Sequence, residues 1–177
     1  MIYPRFLDVE ASSLNVNSYP IEIAWSDALG NIECHLINPL CIGAWVDWDY
    51  NAQNLHGISR ETCIEHGVSP KELCELMSRS ITPGEQIFAD GGGFDEYWVD
   101  ELFSAGSELG YAQFQVIHSD TVTAELLTRF EPDNAKRLNL FESLKLKARK
   151  RVDGRHRAAV DVQYLIELYK LCHDISR

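Results

Sequence analysis

Basic residues are scarce in this chain: 16 lysines and arginines stand against 27 aspartates and glutamates over 177 residues, a formal charge of −11. That balance argues against gripping a polyanion with the surface as a whole. Long apolar runs are missing as well. None approaches the about 20 residues needed to cross a bilayer, so no membrane partner is expected. Met1-Ile2-Tyr3-Pro4-Arg5 lacks the basic start and apolar core of a signal peptide. Cysteines are few and odd in number (Cys34, Cys41, Cys63, Cys74 and Cys172), with no C-x-x-C pair. This argues against a disulfide framework and against a structural zinc knot. Cys63 with His66 and nearby His56 lacks a second cysteine at ligand spacing. The expectation is a soluble, cytoplasmic protein with reduced thiols.

What is present is ordinary in bulk and unusual in detail. An apolar fraction of 45% and a charged fraction of 24% are those of a globular protein. The length suits one domain, 1–177, and no repeat, low-complexity segment or linker interrupts it. Charge is uneven, however. Between Lys145 and Arg157 lie seven basic residues (Lys145, Lys147, Arg149, Lys150, Arg151, Arg155, Arg157) and one acid, Asp153. The window is therefore +6 and the remainder of the chain −17. Such a strip suits either local phosphate binding or the solvated C-terminal end of a helix.

Residues 2–10 read as a strand apolar on both faces, as expected at the middle of a helix-covered sheet. Ile21-Glu22-Ile23-Ala24-Trp25 and Ile32-Glu33-Cys34-His35-Leu36-Ile37 flank Ala28-Leu29-Gly30-Asn31, a hairpin pattern. A loop bearing Trp45, Trp48 and Tyr50 follows. Helices are expected from near Ser59 and from Ser69-Pro70-Lys71-Glu72, where serine caps and proline takes the first helical position. Short strands are expected over 86–89 and 112–118. Helices should follow near Phe94, after the Ser119-Asp120 cap, after Pro132-Asp133, and over about 157–172, with Gly154 as a breaker. Strand and helix order together indicate an α/β layered domain.

Several carboxylates fall where apolar side chains belong. Asp8 and Glu10, two residues apart on a strand, share a face with Phe6 and lie about 7 Å apart. At helical spacing Asp161 joins Leu165, Leu168 and Cys172, and Asp95 joins Val99 and Phe103. An ionised carboxylate on an inward face costs several kcal/mol unless a partner or metal meets it. Each acid also has a plain structural explanation. Asp95 would cap a helix, Glu10 would end a strand in solvent, and Asp161 would pair with a nearby arginine. Taken together, they point to hard divalent cations, which take oxygen ligands. His156, just past Gly154, belongs on a loop or first turn at the rim of such a site, where it would serve as a general base.

Three separated motifs resemble the DEDDh 3′–5′ exonucleases: Phe6-Leu7-Asp8-Val9-Glu10-Ala11-Ser12, Phe94-Asp95, and His156-Arg157-Ala158-Ala159-Val160-Asp161. Leu55-His56-Gly57-Ile58 is similar to a further segment of that family. One departure is Gly91, four residues before Asp95, where the family often has asparagine. The resemblance implies a ribonuclease H-like three-layer fold with a mixed five-stranded sheet and helices on both faces. It also implies hydrolysis of single-stranded RNA or DNA from the 3′ end, releasing nucleoside 5′-monophosphates with two Mg²⁺ (or Mn²⁺) ions. Asp8 would bridge the ions, Glu10 and Asp161 would join one, and Asp95 would help hold the other. His156 would deprotonate the attacking water. Ala11, Ser12, Ser13 and Leu14 would line the terminal nucleotide, with His56 nearby and Arg151 and Arg155 on the phosphates. Trp45, Trp48 and Tyr50 are candidates for base stacking, whereas Trp98 reads as core. The same carboxylates would serve a ribonuclease H-like endonuclease, although that chemistry does not need the H-x-A-x-x-D pattern. A non-catalytic nucleic-acid-binding domain is the third reading. Leu138, Leu140, Phe141 and Leu144 would suit a homodimer interface, which is compatible with catalysis.

Overall fold

The computed structural model describes residues 2–154 and 156–176. Three strands lead the chain: β1 (Arg5–Ala11), β2 (Pro20–Ser26) and β3 (Ile32–Leu36). Three short helices follow, α1 (Tyr50–His56), α2 (Arg60–His66) and α3 (Pro70–Ser80), then β4 (Gln86–Ala89), α4 (Phe94–Gly106) and β5 (Gln115–His118). Helices α5 (Asp120–Phe130), α6 (Asn134–Arg149) and α7 (Ala158–Ile175) close the fold.

The sheet order is β3-β2-β1-β4-β5. β1 pairs antiparallel with β2 and parallel with β4, so strand direction changes across the central strand. Alternation along β1 and β2 builds two cores. Leu7, Val9, Ile21, Ile23 and Trp25 pack with Leu73 and Met77 of α3 and Val99, Leu102 and Phe103 of α4. Phe6 and Ala24 pack on the other face with Val162, Leu165 and Leu168 of α7, Leu144 of α6 and Leu127 of α5. Helices thus cover both faces of a mixed five-stranded sheet, as the sequence led us to expect.

Local chemistry explains most boundaries. The Ser59 and Ser69 hydroxyls accept from the Thr62 and Glu72 backbone N–H groups at 3.1 and 3.2 Å. Asp133 caps α6 by accepting from Lys136 N–H at 2.9 Å. Three details depart from the sequence reading. Tyr50 opens a helix, α1, because Asp49 accepts from Asn51 N–H at 2.7 Å. β5 begins at Gln115 rather than Ala112. Ser119 makes no side-chain cap, and the Asp120 N–H donates instead to His118 Nδ1 at 3.2 Å.

Candidate active site

Asp8 and Glu10 point from β1 toward α7, on the face that also carries Phe6. Asp161 stands in the first turn of α7. One carboxylate oxygen from each of Asp8, Glu10 and Asp161 can be chosen so that all three lie within 4.8 Å of one another. Residues 151 and 153 positions apart in sequence thus meet because α7 lies across β1. Three convergent carboxylates form a donor set suited to a hard divalent cation.

Asp95 reaches the same end of β1 from the opposite helical layer. It does not cap its own helix. Its carboxylate turns back to accept from Val9 N–H at 3.2 Å and from Gly91 N–H at 2.8 Å. The β1–β4 ladder runs only through Arg5–Ile87 and Phe6–Phe88. Beyond it the two strands part, and the Asp95 side chain occupies the gap that they leave. The gap lies at the carboxyl ends of the parallel strands β1 and β4, the edge on which open α/β sheets usually carry their sites. Gly91 leaves the room this geometry uses: a Cβ there would meet the Asp95 carboxylate, which would have to shift.

Asp161 has two protein partners. Its Oδ1 accepts from Arg149 Nη1 at 2.7 Å, so the plain arginine-pair explanation holds for that oxygen. Oδ2 accepts from the His156 backbone N–H at 2.9 Å. His156 is exposed, with φ 55, on the turn between Gly154 and α7. Its main chain is thus fastened to the Asp161 carboxylate.

The sequence reading missed Glu22. It lies opposite Glu10 in the β1–β2 register and is only 1% exposed. Arg157 satisfies it through Nε at 3.0 Å and Nη2 at 2.6 Å, and the Ala158 N–H adds a bond at 2.9 Å. Like charges across a strand pair repel, and Arg157 offsets this while tying β2 to the start of α7. The pattern Ile-Glu-Ile reads as a strand with one wet face. Only the packing of α7 over β2 buries that face.

Burial and mutual repulsion dominate the electrostatics. Burial first, then Asp95, Glu10 and Asp161, holds the Asp8 carboxyl well above the usual carboxylate range. Glu10 is pushed up to about 8, by burial first and then by Asp161 and Glu22. Asp95 rises to about 6 because burial outweighs its two backbone donors. Asp90, at the edge of the cluster, is raised by the same causes, burial and then Asp161. Such a cluster resists full ionisation, and a cation held there would relieve the repulsion. His118, which the sequence did not mark, lines a small cavity with Ala89, Gly92, Gly93 and Asp95.

The remaining expected residues fall into two groups. Leu14 is 73% exposed at the tip of the β1–β2 loop. Ser12 and Ser13 are buried there as struts: Ser12 Oγ accepts from Tyr19 N–H at 3.2 Å, and Ser13 Oγ donates to Asp47. Ala11 is buried at the end of β1. His56 is buried, its Nδ1 accepts from Ile58 N–H at 3.0 Å, and burial lowers its basicity. Trp45 is removed from base stacking, because it is buried and stacked on Tyr19 with ring centroids 5.1 Å apart. Trp98 is core, as expected, with Nε1 donating to Ser18 at 2.9 Å. Trp48 is half-buried and bonded to Gln53, while Tyr50 is exposed. The basic strip is partly spent on the protein itself: Lys145 pairs with Glu142, Arg149 with Asp161, Arg151 with Glu167 and Arg157 with Glu22. Arg155 lies outside the described residues. Phe141 and Leu144 are buried in the chain's own core, leaving Leu138 as the outward apolar residue of the four and Leu140 half-buried. Among the described residues, no helix is long and apolar enough to cross a membrane.

No protein-family model and no curated protein matches the chain. Solved structures do. The zinc-bound form of the E. coli exonuclease I–ssDNA complex superimposes with a TM-score of 0.62 at 12% identity, over 96% of this chain and 39% of that one. E. coli exonuclease I in complex with a 5cy-dT13 oligonucleotide gives 0.63 at 13% identity, over 94% and 40%. Exonuclease I from the moderate thermophile Methylocaldum szegediense gives 0.59 at 14% identity, over 94% and 40%. The chain spans about two-fifths of the length of these structures. At such identities the likeness establishes the fold, which is ribonuclease H-like.

Proposed function

We propose that this chain is a metal-dependent 3′–5′ exonuclease of the DEDDh type, acting on single-stranded 3′ ends and releasing nucleoside 5′-monophosphates. The observation that carries the reading is the meeting of Asp8, Glu10 and Asp161 within 4.8 Å, beside a buried Asp95 at the split between β1 and β4. Divalent ions such as Mg²⁺ or Mn²⁺, two per site in this reading, would supply charge for the reacting phosphate and acidify the attacking water. Asp8, Glu10 and Asp161 would hold them, with Asp95 contributing from the strand split. His156 would take the proton of the attacking water at a ring nitrogen, from a loop that its own backbone fastens to Asp161. Leu14 would lie against the terminal base, while Ser12 and Ser13 keep its loop in place. Lys147 and Lys150, which among the described residues have no carboxylate partner, would meet the phosphates. The exonuclease I–ssDNA complexes support a single-stranded substrate. A cytoplasmic location belongs to the same reading, supported by scattered cysteines of which three are buried.

The test is a 5′-labelled ladder assay with single-stranded RNA, single-stranded DNA and duplex DNA, in Mg²⁺ or Mn²⁺ and in EDTA. Products shortening one nucleotide at a time, lost in EDTA and in Asp8→Ala, are expected. Internal cuts would indicate an endonuclease on the same carboxylates. Intact substrates throughout would leave only a binding role.

A further inference from the structure

Among the described residues, Asp161 differs from its two neighbours in the cluster: its carboxylate accepts from the Arg149 side chain and from the His156 backbone N–H, whereas the Asp8 and Glu10 carboxylates accept no hydrogen bond. The cation on Asp161 is Arg149, the last residue of α6. Its guanidinium carbon lies 3.9 Å from the ring centroid of Tyr164, and Nη1 reaches Asp161 Oδ1 at 2.7 Å. Tyr164 is three residues beyond Asp161 on α7, so one helical face presents both partners. The two ends of the contact are largely shielded, the side chains being 23% and 14% exposed. Leu144 and Ala148, buried against α7, anchor the helix that delivers the arginine. Arg149 is therefore fixed by a carboxylate at its edge and an aromatic ring beneath its face, an arrangement that lysine would not reproduce.

From this geometry we infer that Arg149 is a built-in counter-ion that competes with the divalent cation for Asp161 Oδ1 and thereby sets the metal affinity of the site. The inference rests on the metal-site reading above. A carboxylate oxygen that accepts from a guanidinium has less charge to offer a metal ion, and a guanidinium 2.7 Å from that oxygen would repel a cation brought to the same carboxylate. The arginine stabilises the carboxylate cluster when no ion is bound and must yield when one arrives. Removing it should act in opposite directions on the two states. A mere strut between α6 and α7 would act in the same direction on both.

The experiment is calorimetric titration of the whole chain with Mn²⁺ at fixed pH and salt, alongside thermal unfolding in EDTA. Arg149→Met keeps a flexible apolar stem over Tyr164 and removes the charge. It is expected to bind Mn²⁺ about tenfold more tightly, the equivalent of one charge-assisted contact, while melting lower in EDTA. Unchanged or weaker Mn²⁺ binding by the variant would overturn the inference. If Arg149→Met does not fold, Arg149→Gln, which also removes the charge, carries the test: tightening supports competition, and unchanged or weaker binding overturns it. Failure of the unaltered protein to bind Mn²⁺ at millimolar concentrations would overturn the metal-site reading itself, and this inference with it.

Discussion

Arg157 and Glu22 join the start of α7 to the middle of β2 through two guanidinium nitrogens, and the Ala158 N–H reinforces the contact. The pair matters because α7 brings Asp161 to Asp8 and Glu10. Arg157→Ala would leave a carboxylate that is 1% exposed with a single backbone donor. We expect a loss of about 3 kcal/mol in urea unfolding, the lower end for a broken buried pair because Arg157 is itself half exposed. Arg157→Lys should recover part of it. A loss below about 0.5 kcal/mol would show that the tie is incidental.

The carboxylates should separate activity from stability. On the proposed metal-site reading, Asp8→Asn lowers kcat on the order of a thousandfold or more, since the site would lose a ligand. The same substitution should raise the melting temperature of the metal-free protein, because it removes a carboxyl whose ionisation is disfavoured by burial and by Asp95, Glu10, Asp161 and Asp90. Parallel kinetics and calorimetry in EDTA check both signs.

Stability of the metal-free protein should fall as pH rises. Glu10, at about 8, and Asp95, at about 6, bind protons more strongly folded than unfolded. Groups of this sign contribute most below their unfolded pKa values, near 4, and lose that contribution as pH climbs through the folded values. Melting in EDTA should therefore decline from about pH 5 to pH 8, and saturating Mg²⁺ should flatten the decline because binding releases protons. A melting temperature independent of pH in EDTA would refute the raised values.

Gly91→Ala tests the strand split. Its Cβ would meet the Asp95 carboxylate, which must then give up the Gly91 N–H or shift off Val9. Activity should drop on the order of a hundredfold, as for a displaced catalytic group, with little change in far-UV circular dichroism. Full activity would mean that Asp95 can move freely.

His156→Asn keeps a residue that tolerates φ 55 and the backbone bond to Asp161, while removing the proposed base. A fall in kcat of about a hundredfold or more is expected, whereas His118→Asn should cost far less. The reverse order would assign the base to the cavity beside Asp95.

Much of this protein is written locally. The two-residue spacing of Asp8 and Glu10 on an apolar strand, the serine and aspartate caps of α2, α3 and α6, and the helical stripe from Leu165 to Cys172 are set by pleat, cap chemistry and the 3.6-residue turn, all readable along the chain. Tertiary structure decided the rest, because it depends on contacts between distant residues. The approach of α7 to β1 gave Asp161 its neighbours, and α6 gave it Arg149. The parting of β1 from β4 turned Asp95 from a helix cap into an acceptor for Val9. The burial of Trp45 on Tyr19 and of Glu22 beneath Arg157 followed from which faces the helices covered, a matter of register and packing that no single segment encodes.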